Sequence, residues 1–312
     1  MFEDSVLLDL TFRKPGIRRK GNKDNIQTTA DKDMLGLSKA ILDSDEYRAI
    51  CTVATNCRKW VEARSGNSIL KRGTYMIKTS CLEEVYAHVE QAKTDYMAAV
   101  ETFLAVYPQQ KAQAESRLGP SQYVEADYPD EAKLRAGFRV EHRILDVSPP
   151  GSDKVSAALK AKELTKWRDD MAAAGDELRQ TLRQSCRDLI VGLREKMDLI
   201  GTTDEDGKKI RFHKSHLDKV NEFLDLFFHR DLTNDTEMQG ICAAAKDLLA
   251  GVDSDTLKSN DAVRAEIETE TGKIVAQLDG LLEAAPTRLF TWDDEEPAVE
   301  SETAEEPELA AV

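Results

Sequence analysis

The chain has 312 residues, 41% hydrophobic, 32% charged and only 6% aromatic, enough for one large domain or two small ones and typical of long solvent-facing helices rather than a ring-stacked core. Its net charge of −15 is uneven: nine acidic residues fall between Asp293 and Glu308, no Lys or Arg follows Arg288, and the remaining body carries only about −6, which argues against a general nucleic-acid binder while leaving room for a local basic patch. Five widely spaced cysteines without Cys-x-x-Cys, no signal-peptide pattern and no apolar run near the ~20 residues of a membrane span lead to the expectation of a soluble cytoplasmic protein in a reducing compartment.

Residues 6–12 read as a strand, with Val6, Leu8, Leu10 and Phe12 alternating against Leu7, Asp9 and Thr11. The stretch 13–23 follows, with Pro15, Gly16 and Gly21 marking a loop. It carries six positive charges (Arg13, Lys14, Arg18, Arg19, Lys20 and Lys23) and no negative one. Tyr47, Ile50, Ala54, Cys57 and Val61 predict a helix over about 45–64, and residues 73–78 read as a short strand. Ser80-Cys81-Leu82-Glu83 has the form of a capping box at the start of a long helix. In that helix Leu82, Val85, Val89, Ala92, Tyr96, Ala99, Phe103 and Val106 are spaced 3-4-3-4-3-4-3, a heptad seam that Pro108 is expected to end or kink.

Residues 117–137 read as a connection. Phe138, Val140, His142 and Ile144 predict a strand over about 138–147, suited to pair with residues 6–12. Ser148-Pro149-Pro150-Gly151-Ser152 breaks the chain. The longest predicted element runs from about 154 to 200, on Leu164, Trp167, Met171, Ala174, Leu178, Leu182, Cys186, Leu189, Leu193, Met197 and Ile200. Their mean spacing of about 3.6 belongs to a straight amphipathic helix. Further helices are expected near 214–229, 235–250 and 258–284, before an acidic, disordered tail from about 291.

The predicted architecture is mainly α: long antiparallel helices, a stalk or bundle, with a small β-sheet at one end. An N-terminal helical region with the sheet spans 1–152, a C-terminal helical region 153–290, and the tail 291–312. Helices over 80–107 and 154–200 are about 40 and 70 Å long at ~1.5 Å per residue, long enough to protrude as an arm.

Little in the sequence carries chemistry. Thr203-Asp204-Glu205-Asp206-Gly207-Lys208 resembles half a calcium loop, but His213 stands where the bidentate Glu belongs, so a turn is expected. His213, His216, Glu222 and His229 lack a zinc pattern and read as solvent-side residues on an apolar helix. There is no P-loop, dinucleotide-binding or nucleophile-elbow motif. No catalytic residue, metal or cofactor is assigned.

Several segments are familiar in their order. They are Phe103-Leu104-Ala105-Val106-Tyr107-Pro108, Ala126-Asp127-Tyr128-Pro129, and Leu134-Arg135-Ala136-Gly137-Phe138-Arg139-Val140. Later come Arg211-Phe212-His213-Lys214-Ser215, Leu232-Thr233-Asn234-Asp235-Thr236-Glu237-Met238, and Asp247-Leu248-Leu249-Ala250-Gly251-Val252. Over roughly 5–285 the chain resembles the phage and mobile-element family catalogued as domain of unknown function 3150. The resemblance implies a phage, plasmid or bacterial origin and transfers no catalytic residue. It also implies neighbouring genes for a MoxR- or CobS-like AAA+ ATPase and a von Willebrand A-type protein.

The expected function is therefore a non-enzymatic scaffold or adaptor with a protein partner, an AAA+ ATPase or a second copy of itself, and no membrane contact. The seam that packs helices or meets the partner is Leu82, Val85, Val89, Tyr96 and Phe103, with Leu164, Trp167, Met171, Leu178, Leu182, Leu189 and Leu193. The alternative is nucleic-acid or anion binding through the six basic residues of the loop, although no aromatic residue lies among them to stack on a base.

Overall fold

The computed structural model describes residues 2, 4–23, 27–42, 44–66, 73–149, 156–203 and 212–283. The acidic tail from 291 and the Asp204–Lys208 turn lie outside the described residues.

Strand β1 (Ser5–Arg13) forms the middle of a three-stranded antiparallel sheet, between β4 (Thr74–Lys78) and β5 (Arg139–Asp146). The predicted pairing of the two alternating segments is present, with Leu8 opposite Ile144 and Phe12 opposite Val140. A second, two-stranded ribbon joins β2 (Arg18–Lys20) to β3 (Ser38–Ala40). The basic stretch is thus partly strand, which an Arg-Arg-Lys run without apolar alternation does not announce.

Alternation along β1 places it between two cores. Leu8, Leu10 and Phe12 join Tyr75 and Ile77 in a core with α1 (Asp45–Ala63) and α2 (Leu82–Leu118). Leu7 joins Met76 on the other face, in a core with α4 (Ala157–Asp198), α5 (Lys214–Arg230), α6 (Thr236–Leu249), α7 (Ser254–Ser259) and α8 (Asp261–Glu283). β4 is buried along its whole length because both of its faces are covered.

The helices start where hydroxyls and carboxylates satisfy free amides. Ser44 caps α1 through the Tyr47 N–H, Ser156 caps α4 through Leu159, and Asp253 caps α7 through Asp255 and Thr256. The expected capping box at Ser80 is not formed. A 3-10 turn over Thr79–Cys81 winds Ser80 into the approach, and Cys81 takes the cap position with no side-chain bond. Pro108 does not end α2, which runs on to Leu118 and closes at Gly119, at φ +67°. The expected connection over 117–137 contains α3 (Glu131–Gly137), capped by Asp130. The helix expected near 258–284 is α8, started where Asn260 accepts the Val263 N–H, and the short α7 ahead of it was not expected.

The heptad seam becomes a broader face. Val85, Val89, Ala92 and Tyr96 are buried as spaced, and then Val100, Phe103, Leu104 and Tyr107 are buried in place of Ala99 and Val106. That shift is the drift of a straight helix against a seven-residue repeat, so α2 packs on α1 and the sheet of its own chain. In α4, Ile190 is buried where Leu189 was expected, with Leu189 half-buried beside it.

Candidate functional site

At the end of β1 the chain turns away from the sheet through Arg13, Lys14 and Pro15. Two buried phenols hold this turn: Tyr96 donates to the Arg13 carbonyl (2.8 Å) and Tyr47 to the Pro15 carbonyl (2.7 Å). Burial raises both, Tyr96 to about 12, so they remain donors. Across from the turn, Tyr107 donates to the Pro129 carbonyl (2.8 Å) just ahead of α3. Gly137 lets the two segments approach, because a Cβ there would lie 2.8 Å from the Pro15 ring.

The result is an open cleft of about 620 Å³, lined by Phe12, Arg13, Lys14, Pro15, Pro129, Lys133, Leu134, Gly137 and Arg139. Its floor is apolar and its rim carries four cations. Arg13 and Arg139 are direct cross-strand neighbours, an arrangement that costs stability when charges are alike. Glu141 relieves it, at 3.4 Å from Arg13 and 3.9 Å from Arg139. Lys133 lies 3.3 Å from Asp130, and the Lys14 ammonium 3.0 Å from the Cys51 sulfur. Cations thus outnumber carboxylates here, on a chain that is acidic as a whole.

Of the six basic loop residues, the structure brings only Arg13 and Lys14 into this cleft. Arg18 and Lys20 project from the small ribbon, exposed. Arg19 folds onto the carbonyls of Gly16 and Arg18, and Lys23 donates to the Lys32 carbonyl. Lys133 and Arg139 are the residues sequence reasoning missed. Arg139 was within reach of it, because extending the predicted strand pairing by one step sets it beside Arg13.

A second concavity, about 600 Å³, opens between the sheet and α4. Phe2, Leu7, Met76, Val147, Trp167 and Met171 form its walls, and Asp146, Asp170 and Glu177 lie along its rim. Here the α4 stripe begins: Leu164 and Trp167 are half-buried, and Met171, Leu178, Leu182 and Leu193 are buried within the chain. In α2, Val85, Val89, Tyr96 and Phe103 are likewise core, with Leu82 half-buried at its margin.

The most heavily bonded polar cluster lies at the start of α6. Arg183 of α4 is buried and grips Asp235 with two bonds (2.8 and 3.0 Å), reaching Glu237 and the Leu281 carbonyl as well. Asp235 also caps α6 through the Met238 N–H, and its own N–H donates to Asp231. Asp231 accepts from Gln239 (2.6 Å), and Lys78 of the sheet donates to its carbonyl (3.2 Å). This network accounts for Leu232–Met238 as a structural lock. His229, expected at the solvent side, instead pairs with Glu84 of α2 at 3.1 Å. Among the described residues no group of His, Cys, Asp and Glu is placed to hold a metal ion, and no helix is long and apolar enough to cross a membrane.

Residues 5–225 match the family model described as Protein of unknown function (DUF3150). The chain belongs to that family. The matched span ends within α5, so Arg183 and Lys78 of the polar lock lie inside it, while Asp231, Asp235 and α6–α8 lie beyond it. No curated protein matches the chain, and no solved structure does.

Proposed function

We propose that this protein is a non-enzymatic helical adaptor of a phage or mobile element that holds a protein partner on the outlying first third of α4 and the groove at its root. The supporting observation is that residues 157–170 remain helical without one buried side chain. A helix of that length gains its stability mainly from what it packs against, and of its apolar residues only Trp167, at its inner end, packs against the described core. Leu159, Leu164 and Trp167 fall within one broad stripe of this surface, leading into the groove. The carboxylates on the rim favour a partner segment that is basic and amphipathic. The AAA+ ATPase associated with the family is the first partner to try. The test is copurification of that ATPase with the wild-type chain and with Leu164→Glu and Trp167→Glu. Recovery with the wild type and loss with both variants is expected; equal recovery from all three overturns the reading.

A second reading, polyanion binding, is supported by the convergence of Arg13, Lys14, Lys133 and Arg139 over an apolar floor. Single-stranded nucleic acid suits that composition, with phosphates against the cations and a base against the prolines. Changing these four residues to Ser is expected to abolish retention of a labelled oligonucleotide at ~50 mM salt, while changing Arg18, Arg19, Lys20 and Lys23 leaves most of it. Absence of retention by the wild type at that salt ends this reading.

A further inference from the structure

The sheet has two outer strands. β4 is bridged at Met76 by Gly66 and buried along its length, whereas among the described residues no backbone group pairs with the side of β5 that faces away from β1. Which of its groups point outward follows from β1. Leu10 donates its N–H to the Gly73 carbonyl at 2.9 Å, so the even-numbered residues of β1 face β4 and the odd-numbered ones face β5. In the register Leu7–Leu145, Asp9–Arg143 and Thr11–Glu141, the odd residues of β5 therefore spend their backbone groups on β1. Val140, His142, Ile144 and Asp146 aim N–H and C=O away from the sheet.

This edge carries charges of both signs but is neither short nor interrupted by Pro. An eight-residue strand free of Pro and Lys, with Ile144 41% and Leu145 46% exposed on opposite faces, is a template for another strand. Tyr86 of α2, also exposed, lies against His142 on one face and extends the apolar margin.

We propose that β5 pairs antiparallel with β5 of a second copy of this chain, about a two-fold axis at His142, so that two sheets become one of six strands. The occupant is argued from complementarity of the strand with itself. Around such an axis, directly opposed residues must share a face, so only every second register is allowed. With His142 opposite His142, Glu141 faces Arg143 of the second copy, and the symmetry repeats that ion pair. Val140 then faces Ile144 of the second copy, an apolar pair, also repeated. The allowed registers on either side place Glu141 against Glu141 or Arg143 against Arg143, like charges in direct opposition. In the favoured register the outward groups meet as pairs that exchange both N–H···O bonds. The contact uses the same patch twice and closes on itself, which gives a dimer and no filament. It does not depend on the partner surface proposed for α4.

Sedimentation equilibrium of the full chain over a concentration series tests this association. The wild type is expected to show a reversible monomer–dimer equilibrium. Glu141→Arg is expected to weaken it at least tenfold, and adding Arg143→Glu to that variant is expected to restore it. Ile144→Pro removes an outward N–H without touching the bonds to β1, and it is expected to abolish the dimer while the circular dichroism spectrum, and the melting curve at dilutions where the wild type is monomeric, stay unchanged. A wild type that remains monomeric at every concentration overturns the proposal. So does a dimer that survives in folded Ile144→Pro, or one that the double charge exchange does not restore.

Discussion

Arg183 enters the second core from the middle of α4, between the apolar positions Leu182 and Cys186 that the helical period marks as buried. A guanidinium there is tolerable only because Asp235 meets it with both oxygens, and that partner is 52 residues away in sequence. Asp235→Ala removes the helix cap and leaves the buried guanidinium only the more exposed Glu237 and the Leu281 carbonyl, and it is expected to cost roughly 3–5 kcal/mol of unfolding free energy in urea titration. Proton uptake offers a second test on single residues. His88 stacks on Trp60 at 3.8 Å, and burial, with the Arg64 guanidinium nearby, lowers it below its ordinary 6.5. A base lowered in this way binds fewer protons folded than unfolded, so stability drops as the pH falls below 6.5. Glu84 is lowered chiefly by its hydrogen bond to His229. Its contribution is present above the ordinary carboxylate value and is lost only as the pH falls through its lower folded value. The urea midpoint is therefore expected to decline in two stages on acidification, and His88→Gln should flatten the first while leaving the second. The positions of Leu8, Leu10 and Val89 were legible because a local period marks them. Arg183, Lys133 and the role of His229 were not, since each depends on a group that only the folded chain brings near.

Among the elements, those with many apolar repeats could be read directly, as α1, α4 and the β1–β5 pair show. Short ones could not: α3 has a single buried side chain, Leu134, in seven residues. β2 is a strand because Arg18, Arg19 and Lys20 lie along Ala40, Lys39 and Ser38, with no hydrophobic pattern of its own. The turn between α5 and α6 was misleading in another way, since Asp231, Asn234 and Asp235 look like an ordinary polar loop. In the structure Asn234 adopts φ +51°, a left-handed conformation that Asn tolerates better than most residues and that places Asp235 at the cap. Asn234→Ala is expected to lower stability by about 1 kcal/mol, with Asn234→Gly close to the wild type. Equal melting curves for Asn and Ala at this position would show that the turn does not set the start of α6.

At the scale of the molecule, the sheet is a wall that two helical groups share. The sequence shows two helical regions separated near Ser152 that read as parts of one α-rich domain. The packing ties the two regions together. Leu7 and Met76 belong to the N-terminal region by sequence, yet their side chains complete the core of α4–α8. Lys78 reaches the Asp231 carbonyl, Arg230 donates to the Ala63 carbonyl at 2.8 Å, and Glu84 meets His229. Two β-strands and two helices of the N-terminal region thus carry groups with partners across the boundary. A fragment of residues 1–152 would leave Phe2, Leu7 and Met76 facing water on one side of a three-stranded sheet, together with the buried ammonium of Lys78. It is expected to bind a hydrophobic dye, to self-associate and to melt without a sharp transition, whereas the full chain unfolds in one step. Met76→Ala in the full chain should cost about 2–5 kcal/mol and lower hydrogen-exchange protection in α1, α2 and α5 together, because the methionine sits in the wall between them. A fragment that proved monomeric, with a cooperative melt and no dye binding, would mean that the first core is sufficient by itself and that the sheet's second face is an interface rather than half of a core.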